Sequence, residues 1–367
     1  MNMVSVSVDC FDLKRICDCG QIFRMYERAD GVFDVYSGSR HIRVRQRKKG
    51  ERNTVDFVCT QEEFDSYWKR YFDLDRDYGA IVKEAMRSEK IGTKHEDNAP
   101  DTKCEGYDSD IAGETDKSST KYENEEFVAT ACRFGAGIRI LHQDIWEMLI
   151  SFIISQQKQI PSIRKCIEAL CERFGERRCE KIPAFDDTGS DGQPTREEVL
   201  EDHLWYTFPT AWAIAEGGAE GLKGLSLGYR ERYIYETAVR YLSEGRPYEE
   251  VESIGLEAAS AYFKSFCGVG EKVANCICLF GAGYVDAFPI DTHIKDILYR
   301  EYYLKDDSCI IKEQAKLTQS DYEELVKFHF DRFKGYRGIV QQWIFAWELV
   351  RGKNETHFNR NQGETRC

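Results

Sequence analysis

Gly268-Val269-Gly270 separates two amphipathic patterns, and it limits what the chain can fold into more than any other segment. Two glycines around one valine stop the first pattern and open the second, which predicts a tight hairpin between two helices. The second helix then starts with unpaired backbone N–H groups, a setting that suits an anion such as a phosphate. Lys272 falls in its first turn, where the positive helix end pushes a lysine toward nucleophilic amine chemistry. Cys276 and Phe280 follow at four-residue steps on the same face. Pro289-Ile290-Asp291 precedes a further helical pattern and puts Asp291 at its N-cap. Singly these features are common: a first-turn lysine is usually solvated, a capping aspartate usually only caps, and a lone cysteine usually fills core. Their combination is far more restrictive.

With 367 residues, 42% of them apolar, the chain can bury a large core and is expected to hold two domains. No stretch is long and apolar enough to span a membrane, so no membrane partner is expected. The N-terminus lacks the basic start and apolar core of an export signal. The expected location is therefore intracellular, cytoplasmic or nucleoid-associated, or nuclear in a eukaryote, with the 14 cysteines as reduced thiols. Cys17 and Cys19 are too close for a zinc knuckle, and no run of four cysteines follows the hairpin. No metal or other cofactor is expected.

A net charge of −13 argues against a nucleic-acid partner until its distribution is read. Residues 88–126 carry −7 and residues 180–203 carry −6, which accounts for all of it. Both read as acidic insertions. A basic run, Arg40, Arg43, Arg45, Arg47, Lys48, Lys49 and Arg52, is equally an exposed strand face or a phosphate contact.

In chain order, residues 1–87 alternate as short strands split by turn signals such as Asp30-Gly31, an antiparallel meander closed by a helix from Glu62 to Phe72. Cys19-Gly20-Gln21 interrupts the strands with a glycine, where backbone can approach a ligand. Residues 88–126 read as a disordered acidic insertion. Residues 127–353 are helical, with a second low-order acidic insertion at 175–203, and 354–367 read as a frayed tail. The expected class is α+β: an N-terminal antiparallel sheet, then an all-helical domain holding the hairpin. Ile145–Ile154 reads as a helix buried all round. Gly224 to Tyr233 reads as a glycine-bounded turn presenting Tyr229, Arg230 and Arg232 to solvent or to a groove. Gln341 and Phe345, four apart, pair an amide with a flat ring, a set that suits an extruded base.

Together these segments resemble the 8-oxoguanine DNA glycosylase/lyase family, in the helix-hairpin-helix DNA glycosylase superfamily. The matching stretches are Cys19–Arg24, Ile150–Ser155, Leu225–Arg230, Gly268–Cys278, Pro289–His293 and Tyr336–Gln341 with Phe345, in the family's order. The resemblance implies that Lys272 attacks the sugar C1′, displaces the base and forms a Schiff base. Asp291 would stabilise the developing sugar cation and assist the lysine. Gly20, Phe152, Cys276, Gln341 and Phe345 would form the base pocket. Gln157, Tyr229, Arg230, Gly268, Gly270 and His293 would contact DNA, Tyr229 as a wedge and His293 at a phosphate. Gln157 and Ser162 depart from the residues that read the opposite base in the family. The implied partner is duplex DNA with a damaged base, bound by a monomer. Two alternatives stand beside excision of 8-oxoguanine: a same-fold glycosylase for another base such as an alkylated purine, and a non-catalytic DNA-binding module.

Overall fold

The computed structural model describes residues 2–29, 31–49, 52–87, 118–183, 185, 200–305 and 316–363. The N-terminal region is a five-stranded antiparallel sheet of β1 (Val4–Ser7), β2 (Met25–Ala29), β3 (Val32–Ser37), β4 (Arg40–Lys49) and β5 (Arg52–Phe57). Its order is β1-β5-β4-β3-β2, so β2 to β5 form the expected meander and β1 adds to the far edge. Helix α1 (Leu13–Asp18), capped by Asp12, crosses between β1 and β2; the sequence reading had placed no helix there. The closing helix is α2 (Gln61–Glu63) and α3 (Lys69–Tyr71) joined through a wide turn at Phe64–Trp68, and α4 (Tyr78–Ala85) follows. Phe33, Val35, Ile42, Val44, Val55 and Phe57 face α1 and the Phe64–Phe72 aromatics in one core.

The helical region comprises α5 (Ser118–Gly135), α6 (Ile145–Ser155), α7 (Ile160–Phe174), α8 (Ala211–Gly221), α9 (Arg230–Glu244), α10 (Tyr248–Ser253), α11 (Leu256–Lys264), α12 (Glu271–Phe280), α13 (Thr292–Ile297), α14 (Gln319–His329) and α15 (Arg337–Gly363). Helix α6 is its axis, with Ile145 to Ile154 all buried as the apolar run requires. A second core gathers around it.

Three boundaries differ from the sequence reading. Helix α5 starts at Ser118, inside the first acidic segment, whose residues 88–117 lie outside the described ones. The segment 175–203 is not low in order where it is described: β6 (Arg177–Pro183) pairs antiparallel with β7 (Leu200–Tyr206). Two of its described acidic residues have partners that the local sequence does not reveal. Glu180 meets His41 at 2.7 Å and Glu201 meets Arg43. The backbone of α15 continues as helix to Gly363 where a tail was expected; residues 364–367 lie outside the described set.

The hairpin of β6 and β7 covers the second face of the sheet, so β3 is buried along its whole length. Asp34 accepts from Arg43 Nε at 2.7 Å, Arg43 Nη2 at 2.9 Å and Arg28 Nε at 2.6 Å. Asp56 accepts from Arg45 and Arg47. Arg40 lies over the Tyr67 ring at 4.2 Å. Arg40, Arg43, Arg45 and Arg47 are thus engaged within the N-terminal region, while the side chains of Lys48, Lys49 and Arg52, the rest of the basic run, lie outside the described ones.

Polar contacts join the two regions. Arg24 donates to Glu168 at 3.0 Å and to the Tyr206 carbonyl at 2.7 Å. Glu147 on α6 accepts from Gly38 N at 2.8 Å, and burial pushes its carboxyl up to about 7 against the opposing charge of Arg24.

Candidate active site

The helix pair α11 and α12 is joined by the predicted Gly-Val-Gly turn. Gly268 has φ +77°, and a Cβ there would sit 2.3 Å from the Tyr233 ring, so both conformation and space require glycine. Gln156, at the end of α6, donates to the Gly268 carbonyl at 2.7 Å. Lys158 donates to the Ser226 carbonyl at 2.9 Å. Three loops are therefore laced together: the end of α6, the start of α9 and the hairpin. Their outer surface carries exposed Gln157, Tyr229 and Gly270. Gln157 takes a left-handed conformation, φ +51°, uncommon for a residue with a side chain.

Arg230 departs from expectation. It is 6% exposed and donates inward to the carbonyls of Leu227 and Gln156, with its guanidinium 4.4 Å from the Tyr229 ring. The expectation of two solvent-facing arginines holds for Arg232, exposed and paired with Glu236, and fails for Arg230. The free carbonyls left by the tight turn draw the guanidinium in.

Lys272 sits in the first turn of α12, after the Gly270 N-cap, and its Nζ lies 5.2 Å from the Phe152 ring centroid. Phe152 is buried on α6 and stacks on Phe280 at 5.8 Å. Asp291 caps α13, accepting from Ile294 N at 2.8 Å, and is partly exposed. Cys276, one turn beyond Lys272, brings the two charges into one neighbourhood. Burial raises its thiol pKa, the positive charge of Lys272 opposes this, and Asp291 adds to it. Cys276 is thus a neutral wall beside both.

Three further expected pocket residues, Gly20, Gln341 and Phe345, come from the far ends of the chain. Gly20 has φ +82°, and a Cβ there would stand 3.2 Å from Phe345 Cε1, so the ring rests against bare backbone. His293, exposed near the start of α13, meets Phe345 edge-on at 5.9 Å. Gln341, one turn before Phe345, is 4% exposed, and its Oε1 is buried with no hydrogen-bond partner. A cleft of about 170 Å³ opens beside Lys272 between α12 and α14, along Glu271, Asn275, Gln319 and Glu323. None of Gly20, Cys276, Gln341 and Phe345 lines it, so it is not the space enclosed by the expected base-reading groups.

Sequence reasoning missed Gln342, which donates to the Cys19 carbonyl at 2.6 Å, and Gln143, which donates to the Gln21 carbonyl at 2.9 Å. A paired glutamine inside the apolar run Ile339 to Ile344 was the available signal.

Among the described residues, donor atoms of Asp34, His41 and His203 converge within 4.8 Å. The two imidazoles are stacked, centroids 4.4 Å apart and planes 27° apart. A metal binds in the plane of each imidazole, and near-parallel rings at that spacing cannot aim two lone pairs at one ion. Asp34 is also claimed by two guanidiniums. This cluster fits a role in joining the hairpin to the sheet.

A sheet followed by helices, with a glycine hairpin, a first-turn lysine and a capping aspartate, defines the helix-hairpin-helix class of base-excision repair folds. Residues 150–327 match the HhH-GPD superfamily of base excision DNA repair proteins. Residues 3–149 match the 8-oxoguanine DNA glycosylase N-terminal domain. The probable N-glycosylase/DNA lyase of Methanothermobacter thermautotrophicus is 36% identical over 230 residues, covering 56% of this chain and 67% of that one. The N-glycosylase/DNA lyase of Saccharomyces cerevisiae is 28% identical over 240 residues, covering 58% of this chain. The chain spans 57% of the length of that yeast relative. The Clostridium acetobutylicum 8-oxoguanine glycosylase/lyase, solved with double-stranded DNA containing cytosine opposite 8-oxoguanine, superposes with TM-score 0.68 at 27% identity, covering 96% of this chain and 99% of that one. The chain belongs to the 8-oxoguanine DNA glycosylase/lyase family.

Proposed function

We propose that the protein is a bifunctional DNA glycosylase and abasic-site lyase that removes 8-oxoguanine from duplex DNA. It acts as a monomer, and the damaged nucleotide swings out of the helix to reach the pocket. The Lys272 amine attacks C1′ as the C1′–N9 bond breaks, and the base leaves with the bonding pair. The nitrogen then loses a proton as the C1′–O4′ bond opens to give a Schiff base, and removal of a C2′ proton expels the 3′ phosphate by β-elimination, which cuts the strand. Asp291, fixed by its own capping bond, offsets the positive charge that grows on the sugar. Cys276 and Phe345 flank the base and Gln341 reads its edge. Guanine N7 accepts a hydrogen bond, whereas in 8-oxoguanine N7 carries a hydrogen and donates, so the Gly20 carbonyl prefers the lesion. Gln157, Tyr229 and the Gly268–Gly270 turn face the duplex, and His293 lies at a phosphate. The inward guanidinium of Arg230 supports the wedge Tyr229 from beneath.

The observation that carries this reading is Lys272 in the first turn of α12 after the Gly268–Gly270 turn, its Nζ 5.2 Å from the buried Phe152 ring, with Asp291 fixed as the cap of α13. Borohydride reduction tests it. Duplexes carrying one 8-oxoguanine are expected to give a covalent protein–DNA crosslink, abolished in Lys272→Gln while lesion binding persists. Trapping on an abasic duplex without release of 8-oxoguanine would transfer the reading to another base.

A further inference from the structure

The carbonyl of Gly20 is framed by two carbonyls that are both taken. Cys19 O accepts from Gln342 Nε2 at 2.6 Å, and Gln21 O accepts from Gln143 Nε2 at 2.9 Å. Both donors are buried, Gln342 at 3% exposure and Gln143 at 5%. Gln21 is itself locked, its Oε1 accepting from Leu141 N at 2.9 Å and its Nε2 donating to the Arg139 carbonyl at 2.8 Å. No protein donor to the Gly20 carbonyl is found among the described residues. Peptide units are planar, so holding the carbonyls on either side leaves little freedom for the unit between them. The need for such holding is greatest at Gly20, which has no side chain and lies at φ +82°.

We propose that Gln342 is a specificity-determining positioning residue: by holding the Cys19 carbonyl it turns the adjacent Gly20 carbonyl toward the N7–H of the extruded base. The inference rests on the pocket reading given above. Gln341 and Gln342 are neighbours on α15, pointing about 100° apart around the helix. One presents an unpartnered amide oxygen, and the other grips the backbone next to Gly20. One helical turn thus sets two of the contacts on the base. A hydrogen bond weakens steeply as its angle closes, so a tilted peptide costs discrimination before it costs binding.

The test uses the full chain. Gln342→Leu removes the donor with little change in volume. Gln342→Glu keeps the shape but presents a carboxylate to a carbonyl; once protonated, it can donate again. The preference for 8-oxoguanine over guanine, read as the ratio of dissociation constants in a Lys272→Gln background, is expected to fall about tenfold in the Leu variant. Strand cleavage at an abasic site, which offers no base, should stay within about twofold with Lys272 present. In the Glu variant the preference should recover as the pH falls, while the Leu variant stays flat. An unchanged preference in both variants would overturn the proposal. So would a loss shared equally with abasic cleavage, or a Glu variant without recovery. A native chain that releases no 8-oxoguanine overturns the functional reading, and this inference with it, before any variant is made.

Discussion

The outer face of the N-terminal sheet and the pocket at α12 handle buried polar groups in opposite ways. On the sheet, Asp34 takes three N–H bonds from two arginines, and Asp56 is shared by Arg45, Arg47 and Ser5. At the pocket, Gln341 Oε1 is buried without a partner, and the Gly20 carbonyl has no protein donor among the described residues. Leaving a buried acceptor unmet costs about 1–3 kcal/mol, which a fold tolerates where a ligand completes the bond. Unpartnered buried atoms occur elsewhere too, Thr237 Oγ1 among them, and what sets Gln341 apart is its place one turn before Phe345, whose ring rests against Gly20.

Breaking the sheet side should have the largest effect on stability. Asp34→Ala takes the buried carboxylate from Arg43, 4% exposed, leaving it Glu201 and the Pro183 carbonyl, and should cost about 3 kcal/mol in urea unfolding. The rate of base release per folded molecule should stay near the native value. A folded Asp34 variant with lost catalysis would show that the sheet face belongs to the site.

The pocket side should fail in the reverse manner. Asp291→Asn keeps an oxygen for Ile294 N, so the cap and the melting temperature are expected to survive. Removing the charge should slow single-turnover base release about a hundredfold, or about 2.7 kcal/mol of barrier. Equal rates in the two proteins would remove Asp291 from the chemistry.

The smallest effect concerns pH, and it sharpens the sheet side. Burial works against a charged His41, but Asp34 and Glu180 outweigh it and hold its pKa above the ordinary value. Burial, with the charge of His41, holds its stacked neighbour His203 below. The raised group stabilises fully below the unfolded pKa of about 6.5, and this is lost as pH rises through its folded value. The lowered group stabilises above about 6.5, and this is lost as pH falls. Amide exchange in β6 and β7 should therefore be slowest near pH 6.5, after correction for intrinsic rates. His41→Gln should flatten the alkaline side and also lessen the acid-side loss, because His203 then no longer faces the His41 charge.

What was legible in the sequence was local. The Gly268 turn, the first-turn position of Lys272 and the Asp291 cap each depend on a few adjacent residues, and all three stand where the sequence put them. The meander followed from alternation, save for α1, a helix of six residues that alternation does not announce. The strands β6 and β7 were hidden because acidic composition imitates a solvated loop until His41 and Arg43, over a hundred residues earlier, supply the counter-charge. Arg230 was misread for a similar reason: which way a guanidinium turns depends on carbonyls freed by a neighbouring loop. Gln342 stood out only as a glutamine inside an apolar run; its partner, the main chain of Cys19, leaves no trace in sequence.

That last contact spans 323 residues. Bonds of such reach come late, since the intervening chain must first be collapsed by nearer ones. During synthesis the lysine and aspartate emerge before α15, although Ile339, Val340 and Trp343 of α15 belong to the same core as α12 and α13. The core that holds the lysine is therefore complete only once the last helix of the chain has docked.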